Sequence, residues 1–196
     1  INTCSSDFHL PFFIIPGGEF RKHVPTINAS AVSNNKNVLK NHGYIIHLAH
    51  DKKAIFIKID IRTALSHPAR IGETRGDRIE LYIDMRQKNK GFHTMPYTEG
   101  AEQFIMSFLE SGYTTKSGRK YNVKQKNFKT PTGLKMELEI PFSDFIKNKD
   151  PIPSIIGLDF MFVIATKDGL EIGYPTYGGR SGLWQDPRLF CKAWLV

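Results

Sequence analysis

Residues 77–85 read Asp-Arg-Ile-Glu-Leu-Tyr-Ile-Asp-Met, and this alternation restricts the segment to a strand with one dry face. Ile79, Leu81, Ile83 and Met85 are apolar, whereas Arg78, Glu80, Tyr82 and Asp84 are polar or amphipathic, and successive side chains of an extended chain point to opposite sides. One side must enter a core. The other sets a carboxylate and a phenol two residues apart, where they meet either a ligand or water.

The same period recurs along the chain. In 54–61, Ile55, Ile57, Ile59 and Ile61 alternate with Phe56, Lys58 and Asp60, and Asp51-Lys52-Lys53 joins this run to 44–50 as a hairpin. In 103–109, Phe104, Met106 and Phe108 face one way and Gln103, Ile105 and Ser107 the other. Residues 9–15 form an opening strand closed by Pro16-Gly17-Gly18. The most apolar run is 155–165, which Lys167-Asp168-Gly169 turns back, and 189–196 closes the chain. Residues 19–41, 63–76 and 87–99 are polar connections. Helical signal is confined to about one turn from Ser143, ended by Pro151 and Pro153. About ten strands with almost no helix predict an all-β fold, an antiparallel two-sheet β-sandwich of jelly-roll-like type with long connecting loops, formed by residues 1–196 as a single domain.

At 196 residues and 40% hydrophobic, the chain is long enough to bury a full core, and no apolar run approaches the length of a transmembrane segment. Lys+Arg 27 against Asp+Glu 19 gives a net charge of +8, and residues 116–135 hold Lys116, Arg119, Lys120, Lys124, Lys126, Lys129 and Lys135 without one acid. Such a patch attracts acidic polymers. The plainer reading is a solvated strand face, with pairing to 134–140 setting Lys124 near Glu137. Neither a helix-turn-helix nor an aromatic ribonucleoprotein signature accompanies the charge, so no nucleic-acid partner is expected. Cys4 and Cys191 either pair as a disulfide tying the two ends or leave Cys191 a buried thiol. The start at Ile1 without a Met suggests a processed or trimmed product, the expected location is extracytoplasmic or secreted, and Ile1-Asn2-Thr3-Cys4 resembles a bacterial lipid-attachment cysteine.

Three blocks resemble the family 9 carbohydrate-binding modules. Asp77-Arg78-Ile79-Glu80-Leu81-Tyr82-Ile83-Asp84 looks like the family's Asp-Ser-Val-Glu-Ile-Phe-Ile-Asp strand. Met136-Glu137-Leu138-Glu139-Ile140-Pro141-Phe142 followed by Ile155-Ile156-Gly157-Leu158-Asp159-Phe160 looks like its acidic strand and Ile-Gly-Phe-Asn segment. Trp184-Gln185-Asp186-Pro187-Arg188-Leu189-Phe190 looks like its closing Trp-x-Asp-Pro-x-x-Phe, the most specific of the three. The first forty or so residues match poorly.

In that family two tryptophan faces hold the sugar while a carboxylate and an arginine bond the hydroxyls of a chain end. The resemblance implies that Trp184 is the second tryptophan and Glu80 the carboxylate, roles consistent with indole packing on a pyranose face and a carboxylate accepting hydroxyl donors. The first tryptophan's place falls on Thr74 and the arginine's near Ile105. Losing one ring and one charged donor removes on the order of a few kcal/mol, so the family's specificity does not carry over. Tyr82, Gln103, Tyr177 and Arg180, with His93 and Tyr97, are placed by parity or loop position to supply other contacts.

The expected function is therefore a non-catalytic module of altered specificity binding an oligosaccharide or polysaccharide, with a ligand-free structural or protein-interaction sandwich as the alternative. Ser66-His67-Pro68 and Thr166-Lys167 stand where calcium-binding carboxylates would be useful, so no metal is expected. Met85, His93, Met95 and Met106 raise haem as a further class, but Met85 and Met106 have core parity, and no cofactor is expected. No nucleophile elbow, metal-ligand helix or phosphate loop suggests catalysis.

Overall fold

The computed structural model describes residues 12–16, 27–28, 43–62, 67–87, 97–147, 150–165, 171–175 and 185–195. Five strands make the body of a first sheet in the order β7 (Tyr113–Thr115), β6 (Ala101–Ser107), β5 (Arg78–Asp84), β10 (Ile155–Ala165) and β12 (Cys191–Leu195). β11 (Glu171–Pro175) lies along the later half of β10, beyond the stretch that β12 pairs. The second sheet runs β3 (Gly43–His50), β4 (Ala54–Arg62), β9 (Gly133–Pro141) and β8 (Lys124–Thr130), with β2 (Ile27–Asn28) against β3. These pairings are antiparallel. β1 (Phe12–Pro16) is the exception, parallel first to β12 through Phe12, Phe13 and Ile14 and then to β3 through Ile15 and Pro16. One short strand thus joins both sheets, a corner of the kind sandwiches use to close a side.

The alternation read from the sequence sets the core. Ile55, Ile57, Ile59 and Ile61 of β4 are buried and share one cluster with Ile79, Leu81, Ile83 and Met85, and with Phe104, Met106 and Phe108. The β3–β4 hairpin turns at Asp51, whose carboxylate accepts from the amides of Lys53 (2.6 Å) and Ala54 (2.8 Å). Helical structure among the described residues is two 3-10 turns, Phe142–Asp144 and Pro187–Leu189.

Two details differ from the sequence reading. Among the described residues twelve strands are present where about ten were expected, and the additional ones, β2 and β7, have two and three residues, too few to display a period. The β8–β9 register sets Lys124 opposite Glu139, not Glu137, and the ion pair closes at 2.8 Å. A period of two fixes which face a residue takes and leaves the register to the turn, here Pro131-Thr132, which pairs Thr130 with Gly133.

Candidate functional site

Sheet register gathers the polar side of β5 with its neighbours on the outer face of the first sheet. Opposite Glu80 stand Ile105 of β6 and Met161 of β10; opposite Tyr82 stand Gln103 and Asp159; opposite Asp84 stand Ala101 and Gly157. Glu80, Tyr82 and Gln103 form one hydrogen-bonded group. Glu80 Oε1 accepts from Arg78 Nε at 2.9 Å, and Oε2 accepts from the Tyr82 hydroxyl and from Gln103 Nε2 at 2.9 Å. The next acid along repeats the device, because Arg86 Nε and Nη2 donate to Asp84 at 2.9 and 2.7 Å while Nη1 reaches Thr98 Oγ1. Each pair is two residues apart in sequence, the spacing that puts two side chains on one face of a strand.

The sequence left this face open to water or ligand, and the structure does not. Glu80 is 4% exposed, Tyr82 and Asp84 are fully buried, and Arg78 and Gln103 are buried with them. The aromatic cover over Tyr82 is partly visible: Phe190 lies with its ring centroid 5.5 Å from that of Tyr82, and Tyr97 meets Phe190 edge-on at 6.0 Å. Lys116 Nζ sits over the outer ring of this stack, 4.4 Å from the Tyr97 centroid. Alternation shows that a strand has two faces but cannot show that loop residues will pack on the second, so β5 is buried on both sides.

Burial sets the protonation of the group. It pushes the Tyr82 phenol far above its ordinary range, with the Glu80 charge and their mutual hydrogen bond adding to the shift, so the hydroxyl remains a donor to the carboxylate. Burial also raises Tyr97, with further contributions from the charges of Glu102, Asp84, Glu80 and Asp186. Lys116 shifts downward through desolvation, opposed by the Glu102 charge.

The closing motif reaches the same place. Asp186 caps the Pro187–Leu189 turn by accepting from the Arg188 amide at 2.9 Å and holds the Arg188 guanidinium, leaving Phe190 directed onto Tyr82. Gly157 makes room for it, since a Cβ there would lie 3.0 Å from Asp84 Cβ and 3.4 Å from the Phe190 ring. Trp184, Tyr177 and Arg180 lie outside the described residues, as do His93 and both Ser66 and the 166–170 turn. Thr74 is exposed on the 67–77 loop, and no hydrogen bond among the described residues joins it to the Glu80 group. Asp77 anchors that loop: it is fully buried and accepts from the amides of His67 (2.9 Å) and Ala165 (2.7 Å). Lys116 and the Arg partners of Glu80 and Asp84 were not singled out for this site by sequence, although the two-residue spacing of Arg78 to Glu80 and Asp84 to Arg86 was a legible signal for the latter.

Among the described residues no group of three or more His, Cys, Asp or Glu side chains is arranged to hold a metal ion. Among them, too, no helix is long and apolar enough to cross a membrane.

Comparison with known proteins bears on the fold and the family. Residues 23–196 match the model of the carbohydrate family 9 binding domain-like family. A family 9 carbohydrate-binding module from Caldicellulosiruptor kristjanssonii in complex with cellotriose superposes with a TM-score of 0.73 at 17% identity, covering 94% of this chain and 93% of that one. A second structure of a family 9 module from that organism, in complex with glucose, gives 0.69 at 18% identity, covering 94% of each chain. A putative carbohydrate-binding protein from Bacteroides uniformis gives 0.56 at 12% identity, covering 87% of this chain and 85% of that one. No curated protein matches the chain. At these identities the structural likeness is one of fold.

Proposed function

This chain belongs to the carbohydrate family 9 binding domain-like family, and on that premise we propose that it is a single, non-catalytic carbohydrate-binding module of altered specificity, acting outside the cytoplasm. The sugar chain is held on the outer face of the first sheet, with Trp184 stacking on a pyranose ring and Glu80 accepting its hydroxyls. The ligand class is a neutral oligosaccharide, in keeping with the cellotriose and glucose bound by the structures of similar fold. One observation carries this reading. The Glu80 carboxylate is fixed by Arg78, Tyr82 and Gln103 on the face onto which the closing motif packs through Phe190.

A carboxylate offers about four accepting positions, and three protein donors leave one for a hydroxyl. Tyr82 and Gln103 then orient the acid more than they touch the sugar. Thr74, lacking a ring, supplies at most a hydroxyl from the rim, and Tyr177 and Arg180 supply the remaining contacts from the segment before the motif. The absence of an aromatic at Thr74 and of a cation at Ile105 is what alters the specificity.

The burial of Glu80, Tyr82 and Asp84 favours a second reading, a ligand-free structural or protein-interaction sandwich in which the polar row is internal glue. Isothermal titration against neutral oligosaccharides, beginning with cellotriose and glucose, separates the two. Saturable heat that Trp184→Ala abolishes and Glu80→Gln weakens at least tenfold is the expected result. A flat titration with every neutral glycan leaves only the scaffold.

A further inference from the structure

The second sheet carries a different charge pattern on its own outer face. Inward positions of β4, β9 and β8 are Ile55, Ile57, Ile59, Met136, Leu138, Ile140 and Gln125, all buried. The opposite parity therefore faces out, and there β4, β9 and β8 present five cations, Lys58, Arg62, Lys124, Lys126 and Lys135, against the three carboxylates of Asp60, Glu137 and Glu139. Lys120, also exposed, lies four residues before β8. The first sheet's outer face differs, since Glu80 and Asp84 each hold an arginine.

β8 is the last strand of its sheet among the described residues, none of which forms a strand along its outer edge, and Phe128 on it is 42% exposed. Lys135 Nζ lies 5.3 Å from the centre of that ring. Lysines protect an edge from pairing with another chain, but a large exposed aromatic does the reverse, so edge protection does not account for Phe128. The ion pairs of this face among the described residues include Lys58 with Asp60 at 3.7 Å, Lys124 with Glu139, its lysine side chain 68% exposed, and Lys135 with Glu137. Exposed pairs of this kind are worth about 0–1 kcal/mol, so a ligand carboxylate can replace them at small cost. No carboxylate lies within ion-pair distance of Lys120, Lys126 or Lys129 among the described residues.

We propose that the outward side of this edge, comprising Lys124, Lys126, Phe128 and Lys135, is a second ligand surface that takes an acidic polysaccharide. Phe128 packs on the C–H face of a uronate ring, and the lysines pair with carboxylates on either side. Lysine presents a compact point charge with three rotatable donors on a flexible stem, which can follow carboxylates along a polymer. One isolated ring also suits a single sugar better than a nucleic-acid strand, which stacks successive bases on several rings. The surface lies on the sheet opposite the Glu80 face, so the inference stands whether or not a neutral glycan binds there.

The test is the NaCl concentration at which the whole chain elutes from immobilised polygalacturonate. The combined Lys124→Gln, Lys126→Gln and Lys135→Gln variant should elute far earlier than a control carrying Lys52→Gln, Arg75→Gln and Lys147→Gln, which removes the same charge from other exposed positions. Phe128→Ala, with charge unchanged, should weaken solution binding to polygalacturonate two- to fivefold. Equal displacement of the two triple variants overturns the proposal. So does duplex DNA bound as tightly as polygalacturonate together with an inert Phe128→Ala, a result that assigns the surface to nucleic acid.

Discussion

Glu80 is a buried acid whose surroundings are built from its own strand and the next one. Arg78 and Tyr82 reach it from two residues before and two after, and Gln103 from the strand alongside. The first two partners could be read from spacing; the third required the register of β5 against β6, which no local pattern encodes. Removing the Tyr82 hydroxyl while keeping its ring isolates one of these bonds. Tyr82→Phe retains the packing on Phe190 and should destabilise the protein by about 1.5–3 kcal/mol, the range for a hydrogen bond to a charged group, read as a lower urea midpoint with unchanged slope. A change within 0.5 kcal/mol would mean that the hydroxyl contributes no net stability there. The wet face imagined for Glu80 and Tyr82 failed for a reason that lies outside the strand: aromatic side chains from distant loops settle on it.

At the level of elements, hairpin chemistry decides how the second sheet assembles. β8 and β9 are joined through Pro131-Thr132, and Gly133 begins β9 with φ +154°, directly beside β4. A Cβ at this position would lie 2.0 Å from the carbonyl oxygen of Ile61, a backbone atom with no rotamer to escape into. Gly133→Ala should therefore cost more than 2 kcal/mol, or prevent the hairpin docking on β4, because both the φ and the contact are unfavourable. Gly157→Ala provides the comparison at a residue whose nearest neighbours are side-chain atoms, and chemical denaturation of the two variants should rank Gly133→Ala as the more damaging. The hairpin was legible from the run of alternating residues on either side, but the two-residue shift from Glu137 to Glu139 opposite Lys124 was not, since it depends on where the turn closes.

Over the whole molecule, tyrosines packed beside carboxylates should make the sandwich sensitive to alkali. Tyr121 lies against Phe145 and donates to the buried Glu102 at 3.0 Å; burial, with the Glu102 charge behind it, pushes its pKa up to about 12 from 10.0. The unfolded chain loses this proton at the lower pH, so the stability present below pH 10 is lost as pH rises through 10 toward about 12. Tyr82 and Tyr97, raised in the same direction, steepen the fall. Equilibrium unfolding followed from pH 8 to 12 should show the decline beginning near 10, and Tyr121→Phe should make it shallower; a flat profile would contradict the shifts. The sequence by itself determined the strands, their inward faces, the all-β class and the family motifs, because a period of two and the turn residues that interrupt it are local properties of the chain. Only the tertiary structure decided which strands lie side by side, that β1 belongs to both sheets, and that Glu80, Tyr82 and Asp84 are enclosed. Those outcomes depend on contacts between segments far apart in sequence, and a residue's own neighbours carry no record of what will be packed on top of it.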